Sequence, residues 1–134
     1  MFCIDASVIL SAVKNTELHL LQSKKFLAGV IQDAQKVFLP EIVLPEVTSG
    51  FVRATGNEVL ISQFVENLRS IPHFSFVAVD STLSNLTVNV ILQTHLRASD
   101  AVYVALAYEY NLTLVTLDDE QLTKGSILVP TRRP

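Results

Sequence analysis

Residues 112–118 read LTLVTLD, a short apolar run that ends on a carboxylate. Leucine, valine and threonine at consecutive positions predict a buried β-strand, because a strand covered on both faces shows no alternation of polar and apolar side chains. Residues 1–5, MFCID, repeat this pattern and also end on an aspartate. Strands of this kind belong to parallel sheets with helices on both faces, so the two segments favour the α/β class.

The remainder of the chain alternates helical segments with further short strands. Helices are expected at residues 7–13, 17–35, 58–70 and 101–110, and another follows a capping cluster at residues 80–82 and reaches about residue 95. Pro45 is tolerated in a first helical turn, so one more helix is expected from about Pro45 to residue 55. Strands are expected at residues 37–39, 74–79 and 127–129. In such a sheet, ligands bind outside the carboxyl ends of the strands.

Composition narrows the class of protein. The chain has 134 residues, 49% apolar and 17% charged, with a mean hydropathy of +0.40. These values exclude a disordered chain and predict one domain with a partly covered apolar surface. The longest apolar run, residues 101–108, is much shorter than the ~18 residues needed to cross a bilayer. The only cysteine, Cys3, allows no internal disulfide, and we expect a soluble, cytoplasmic protein.

Charge does not decide the partner. The formal net charge is −3, and the only basic pairs are residues 24–25 and 132–133, so a broad basic surface is absent. A cation held by clustered carboxylates would, however, cancel much of the local negative charge. The pair at 132–133 is expected to be a loose tail, and Lys14 an ordinary residue of a helix surface.

Four of the 13 acidic residues take positions that a parallel sheet brings together. Asp5 and Asp118 end strands, Asp100 opens a helix, and Glu46 lies in the first turn of another. Clustered carboxylates repel one another unless a hard cation lies between them, and oxygen ligands without histidine or thiol favour Mg²⁺ or Mn²⁺. The alternative for each is a helix cap, a turn residue or a solvated acid. Asp80, which also ends a strand, is interpreted as a helix cap.

Four short motifs contain these acids: IDAS at residues 4–7, LPEV at 44–47, ASDAVYVALA at 98–107 and VTLD at 115–118. In this order they resemble the acidic motifs of the PIN-domain ribonucleases. The resemblance extends over nearly the whole chain, and the length is similar to that of the compact VapC-type toxins of that family.

The resemblance implies a three-layer α/β/α fold with a central parallel sheet of four to five strands, in one PIN domain over residues 1–134. It also implies an Mg²⁺- or Mn²⁺-dependent endoribonuclease that hydrolyses phosphodiester bonds of single-stranded RNA. Because Asp119 and Glu120 depart from the usual pattern, either Asp118 or Asp119 could face the cation. The implied catalytic and metal-binding acids are Asp5, Glu46, Asp100 and Asp118, with Ser7, Thr116 and Asp119 in support.

The same resemblance implies the toxin of a type II toxin–antitoxin pair, with a cognate antitoxin protein as partner, a homodimer, and no membrane partner. Two alternatives stay open: an RNA-processing PIN nuclease without a toxin role, and an inactive PIN-like scaffold that binds a protein. A phospho-accepting receiver domain is disfavoured, because the first strand offers one acid and the predicted fifth strand ends on Val129 and not on a lysine. A phosphatase of the haloacid dehalogenase type requires Asp-x-Asp, where residues 5–7 read Asp-Ala-Ser.

Overall fold

The computed structural model describes residues 1–14 and 18–134. Within these residues the strands are β1 (Phe2–Ile4), β2 (Val37–Pro40), β3 (Phe74–Val77), β4 (Thr113–Val115) and β5 (Thr131–Arg132). The α-helices are α1 (Ala6–Val13), α2 (Leu20–Gln32), α3 (Val43–Ala54), α4 (Glu58–Arg69), α5 (Ser81–Thr94), α6 (Ala98–Glu109) and α7 (Asp119–Lys124). A 3₁₀ turn, Gly125–Ile127, follows α7.

The strands form one parallel sheet in the order β3-β2-β1-β4-β5. The central strand β1 pairs with β2 on one side and with β4 on the other. Helices α5 and α6 pack together on the sheet, and α1 packs against α2 and α3, which completes a three-layer α/β/α arrangement. The predicted fold class is therefore confirmed. Because all strands are parallel, their carboxyl ends meet at one edge.

Helix α6 is the most deeply buried helix. Residues 101–107 are all buried, and the helix contacts β1, β2 and β4. A helix segment that is apolar all round is stable only inside a core. Asp100 directly precedes this buried run, so the packing of α6 places its carboxylate near the carboxyl edge of the sheet.

Several predicted boundaries shift. Helix α3 begins at Val43, before Pro45, because proline is accepted anywhere in the first turn, where backbone N–H groups have no partner inside the helix. Helix α6 begins at Ala98 and not at residue 101, and β3 ends at Val77. The predicted helix over residues 17–35 is observed as α2, Leu20–Gln32, and its predicted first residue lies outside the described residues.

The end of the chain differs most from the prediction. The predicted strand at residues 127–129 is wrong: residue 127 ends the 3₁₀ turn, and the fifth strand is Thr131–Arg132. Helix α7, with Asp119 and Glu120 in its first turn, lies between β4 and the 3₁₀ turn. Backbone hydrogen bonds from Leu114 N to Pro130 O (2.8 Å) and from Thr116 N to Arg132 O (3.1 Å) add β5 to the sheet. These long-range bonds, and not local propensity, stabilise the two-residue strand.

Residues 132–133 are not a loose tail. The Arg132 guanidinium lies 5.4 Å from the Phe2 ring centroid and 5.2 Å from that of Phe26. Arg133 forms an ion pair with Asp119. The pairing of β5 with β4 brings both arginines to these partners. Among the described residues, no helix has the length and apolar content needed to cross a membrane.

Candidate active site

An open cleft of about 720 Å³ lies at the carboxyl edge of the sheet. Asp5 lines the cleft from the end of β1, and Asp118 lines it from the turn between β4 and α7. Glu46 and Asp100 line it from the first turns of α3 and α6. The fold thus brings together the four acids that the sequence separates by up to 113 positions. Lys14, which we expected on an ordinary helix surface, also lines this cleft.

Asp5 is the most buried of the four acids, with 6% of its surface exposed. It caps α1 by accepting a hydrogen bond from Ser7 N at 2.9 Å on Oδ2, and Thr116 Oγ1 donates to the same oxygen at 3.4 Å. Gln121 Nε2 donates to Oδ1 at 3.3 Å. Burial raises the pKa of Asp5, the bonds from Ser7 and Gln121 lower it, the charge of Asp118 raises it, and the net shift is upward. Asp5 therefore both caps α1 and lines the cleft.

Asp118 is held by the turn between β4 and α7. Its Oδ1 accepts a hydrogen bond from Gln121 N at 2.8 Å, which makes it the N-cap of α7. Its own N–H donates to Thr116 Oγ1 at 3.0 Å, and Leu117 N donates to Ser7 Oγ at 3.1 Å. The hydroxyls of Ser7 and Thr116 therefore connect this turn to β1 and α1. These hydrogen bonds fix the positions of Asp5 and Asp118 relative to one another.

Asp119 faces away from the cleft. Its side chain is 84% exposed and is paired with Arg133 Nη2 at 2.5 Å. Glu120 is paired with Lys124 at 2.9 Å, and this pairing lowers its pKa. Of the two adjacent aspartates, Asp118 is therefore the one that lines the cleft.

Glu46 is oriented by a residue for which the sequence predicts no role in the site. The hydroxyl of Tyr103, on the buried helix α6, donates to Glu46 Oε2 at 2.5 Å. Burial raises the pKa of Glu46, the bond from Tyr103 lowers it, the charges of Asp5 and Asp100 raise it, and the net shift is upward. Burial and the nearby carboxylates also raise the pKa of Tyr103 far above its ordinary value, so the phenol stays protonated and remains a donor.

Asp100 shows how the acids influence one another. Burial raises its pKa to about 6, the charges of Asp118 and Asp5 contribute in the same direction, and Arg97 partly opposes them. Among the described residues, no lysine or arginine forms an ion pair with Asp5, Glu46, Asp100 or Asp118. The negative charge of the cleft is therefore not balanced by a paired cationic side chain of the described chain.

The chemistry of this donor set suits a hard cation, although its spacing in the structure does not enclose one. Carboxylate oxygens without histidine or thiolate are the ligands that Mg²⁺ and Mn²⁺ prefer. In the part of the chain that the structure describes, no three His, Cys, Asp or Glu side chains stand close enough together to enclose a metal ion. The raised pKa values are compatible with this spacing, because Coulomb repulsion acts over longer distances than a coordination bond of about 2.0–2.1 Å. Asp5, Asp100 and Asp118, with Glu46, are the residues that would hold the cation.

Gln121 and Tyr103 support the cleft acids, although the sequence motifs do not predict this role. Both are fully buried polar side chains that donate hydrogen bonds to cleft acids, Gln121 to Asp5 and Tyr103 to Glu46. A local signal exists only in their helical spacing. Gln121 follows Asp118 by three positions and Tyr103 follows Asp100 by three, so each lies one turn away from an acid.

Fold and cleft together define an α/β protein with four acids at the carboxyl edge of a parallel sheet. The family model for the PIN domain matches residues 2–125. The chain belongs to the PIN-domain family, and at the level of that family it is a nuclease, a hydrolase of phosphodiester bonds. None of the curated proteins compared with the chain matches it.

Solved structures share the fold over the full length of the chain. FitAcB from Neisseria gonorrhoeae is 19% identical with a TM-score of 0.75, covering 100% of this chain and 98% of the other. VapC20 from Mycobacterium tuberculosis, described as a toxin that cleaves the sarcin–ricin loop, is 14% identical with a TM-score of 0.78 and full coverage of both chains. VapBC2 from Rickettsia felis, bound to a promoter DNA fragment, is 14% identical with a TM-score of 0.71, covering 98% and 97%.

Proposed function

We propose that this protein is an endoribonuclease that hydrolyses single-stranded RNA with Mg²⁺ or Mn²⁺ and is the toxin of a type II toxin–antitoxin pair in the cytoplasm. One observation supports the activity above all. Asp5, Glu46, Asp100 and Asp118 line one open cleft, and among the described residues none of them is paired with a cationic side chain. Repulsion among these carboxylates destabilises the folded state unless a cation is bound, so the four acids favour a cation-binding role.

The chemistry divides among the residues of the cleft. Asp5, Asp100 and Asp118 would hold the cation, which when bound offsets the negative charge that develops on the phosphate. Glu46 would orient the attacking water and accept its proton, since the Tyr103 hydroxyl holds its carboxylate and its raised pKa brings it closer to neutral pH. Lys14 and Arg53 also line the cleft and would contact RNA phosphates.

The fold comparison supports an antitoxin partner. FitAcB and VapBC2 have the same fold, and a further structure of similar fold is a toxin–antitoxin complex from Klebsiella pneumoniae, 15% identical with a TM-score of 0.67. Exposed large apolar side chains are consistent with covered surfaces for an antitoxin and for a second copy in a homodimer. They include Val52, Val59 and Leu60 on α3 and α4, and Val88, Leu92 and Tyr108 on α5 and α6.

The nuclease proposal is tested by incubating the purified protein with single-stranded RNA in Mg²⁺, in Mn²⁺ and in EDTA. We expect cleavage that EDTA abolishes, and near-complete loss of cleavage in Asp118→Asn. The matched control is Asp119→Asn, which changes the adjacent carboxylate outside the cleft and is expected to cleave like the parent. Cation binding without any RNA cleavage would favour the inactive scaffold instead.

The toxin role and the homodimer need separate tests. Expression of the chain alone is expected to arrest growth and degrade RNA, whereas expression of Asp118→Asn is not. Normal growth with an active purified nuclease would favour the RNA-processing alternative. For the homodimer, sedimentation at tens of micromolar protein is expected to give twice the mass of the chain, and a clean 14.8 kDa monomer would contradict it.

A further inference from the structure

We infer that Gln121 is a positioning residue of the acidic cleft: its buried amide holds Asp5 and the start of α6 in one arrangement and thereby sets the affinity of the cleft for a divalent cation. This inference rests on the proposed function, because it concerns the cation that the four acids are proposed to bind. It adds to that function a neutral residue that is not one of the four acids.

The amide of Gln121 makes two contacts from a fully buried position. Nε2 lies 3.3 Å from Asp5 Oδ1 and 3.4 Å from the backbone oxygen of Asp100. An ionised carboxylate and a backbone carbonyl can only accept hydrogen bonds, so the nitrogen of the amide, and not its oxygen, must face them. The two acceptors therefore determine the orientation of the side chain.

The backbone of the same residue makes a third contact. Gln121 N donates to Asp118 Oδ1 at 2.8 Å as part of the cap of α7. One residue thus touches the side chain of Asp5, the main chain of Asp100 and the side chain of Asp118. These three belong to the end of β1, the first turn of α6 and the start of α7. A displacement of Gln121 would change the relative position of three proposed ligands at once.

The choice of glutamine is not explained by stability. Its Oε1 is buried and, among the described residues, has no hydrogen-bond partner. A buried amide that is only half satisfied is unfavourable compared with an apolar side chain of the same length. The benefit of the amide is therefore its donation to Asp5.

A neutral donor also suits a cation site better than a charged one. Lysine at this position could donate to Asp5, but its charge would compete with the cation for the carboxylates. The amide orients the carboxylate and leaves its negative charge available. Groups that hydrogen-bond to metal ligands commonly change metal affinity when they are replaced, by about 10- to 100-fold.

The test compares Gln121→Met and Gln121→Leu with the parent. Both variants remove the amide donor and place an apolar side chain in the same buried position. Gln63→Met is the control, since it makes the same chemical change at an exposed position on α4. Three quantities are measured: the melting temperature in EDTA, the Mn²⁺ dissociation constant by calorimetry, and kcat and KM for a single-stranded RNA.

We expect both Gln121 variants to melt in EDTA close to the temperature of the parent, because removal of the unpartnered Oε1 offsets the loss of the hydrogen bond to Asp5. Their Mn²⁺ dissociation constant should rise by about tenfold or more. Their kcat should fall with little change in KM, and the Gln63 control should match the parent throughout.

Two results would overturn the inference. If the variants bind Mn²⁺ as tightly as the parent, Gln121 only fills space. If both variants melt well below the parent in EDTA, the amide serves the fold and not the cation. Failure of the proposed function is a distinct result, because the parent itself would then neither bind Mn²⁺ nor cleave RNA.

Discussion

The Tyr103 hydroxyl donates a hydrogen bond to Glu46 Oε2 at 2.5 Å and joins the buried helix α6 to the first turn of α3. The donor is 1% exposed and lies one helical turn after Asp100. Helix α6 therefore supplies one acid of the cleft and also the group that orients a second. Because residues 101–107 of α6 are buried, both positions are determined by the packing of the core.

Removal of this donor by Tyr103→Phe should weaken the site. The carboxylate of Glu46 would lose the hydrogen bond that the Tyr103 hydroxyl donates, which is worth about 1.5 kcal/mol of unfolding free energy. The pKa of Glu46 would therefore rise further. RNA cleavage should fall, and the acidic limb of its pH profile should move to higher pH. Tyr108→Phe is the control, since Tyr108 is on the same helix with 56% of its surface exposed. An unchanged pH profile in Tyr103→Phe would contradict a role for Glu46 in the reaction.

Asp5→Asn separates a cation site from a helix cap. Asparagine keeps the cap of α1 but removes one charge from the cleft, so the variant should be at least as stable as the parent in EDTA. It should lose nearly all RNA cleavage. Mn²⁺ at one hundred times its dissociation constant should stabilise the parent by about 2.7 kcal/mol and the variant much less.

The matched control for that experiment is Asp80→Asn. Asp80 caps α5 by accepting from Leu83 N at 2.9 Å, and it does not line the cleft. This variant should respond to Mn²⁺ and cleave RNA like the parent. An equal response to Mn²⁺ in Asp5→Asn and the parent would remove Asp5 from the proposed site.

The stability of the metal-free protein should depend on pH through Asp100. Its pKa of about 6 in the folded state exceeds the ordinary value of about 3.9, so between these pH values the folded state binds more protons than the unfolded state. The free energy of unfolding in EDTA should therefore fall as pH rises from about 4 to about 6. Urea unfolding at several pH values measures this slope.

Asp100→Asn should flatten that slope, whereas Asp119→Asn, at the exposed neighbour of the cleft, should leave it unchanged. Saturating Mg²⁺ should reverse the sign for the parent, because protons then compete with the cation for the same carboxylates. A slope that is identical in the parent and in Asp100→Asn would show that folding does not raise the pKa of Asp100.

Arg132 should contribute more to stability than Arg133. The Arg132 guanidinium lies over two aromatic rings, so Arg132→Ala should cost about 1 kcal/mol in urea unfolding. Arg133 forms one exposed ion pair with Asp119, and Arg133→Ala should stay within about 0.5 kcal/mol of the parent. Equal effects would indicate that the contact of Arg132 with Phe2 and Phe26 adds no stability.

The central part of the fold could be predicted from local sequence. Apolar runs such as residues 112–117 have the composition of doubly covered strands, and the cap residues Asp5 and Asp80 begin helices where the side chain can accept a backbone hydrogen bond. The four acids could be proposed as one site because they follow strands or open helices. In a parallel sheet those positions lie at the same edge, but Asp80, which follows the edge strand β3 and also caps a helix, lies outside the cleft.

The last strand could not be predicted in this way. Thr131–Arg132 is short and polar, and no local pattern distinguishes it from a terminal loop. It becomes a strand only because the edge of β4 offers unpaired backbone groups for it to bond. The contact of Arg132 with Phe2 follows from that pairing.

The sequence alone determined which acids the sheet would gather, and the tertiary structure decided which of two neighbours faces the cleft and what holds the site. Asp118 caps α7 and points inward, whereas Asp119, one residue further around the helix, points to solvent and pairs with Arg133. Gln121 and Tyr103 reach Asp5 and Glu46 across 116 and 57 positions of chain. Apart from the three-residue spacing from an acid, no local pattern marks such donors, because a buried polar side chain is favourable only once its distant acceptor has been packed beside it.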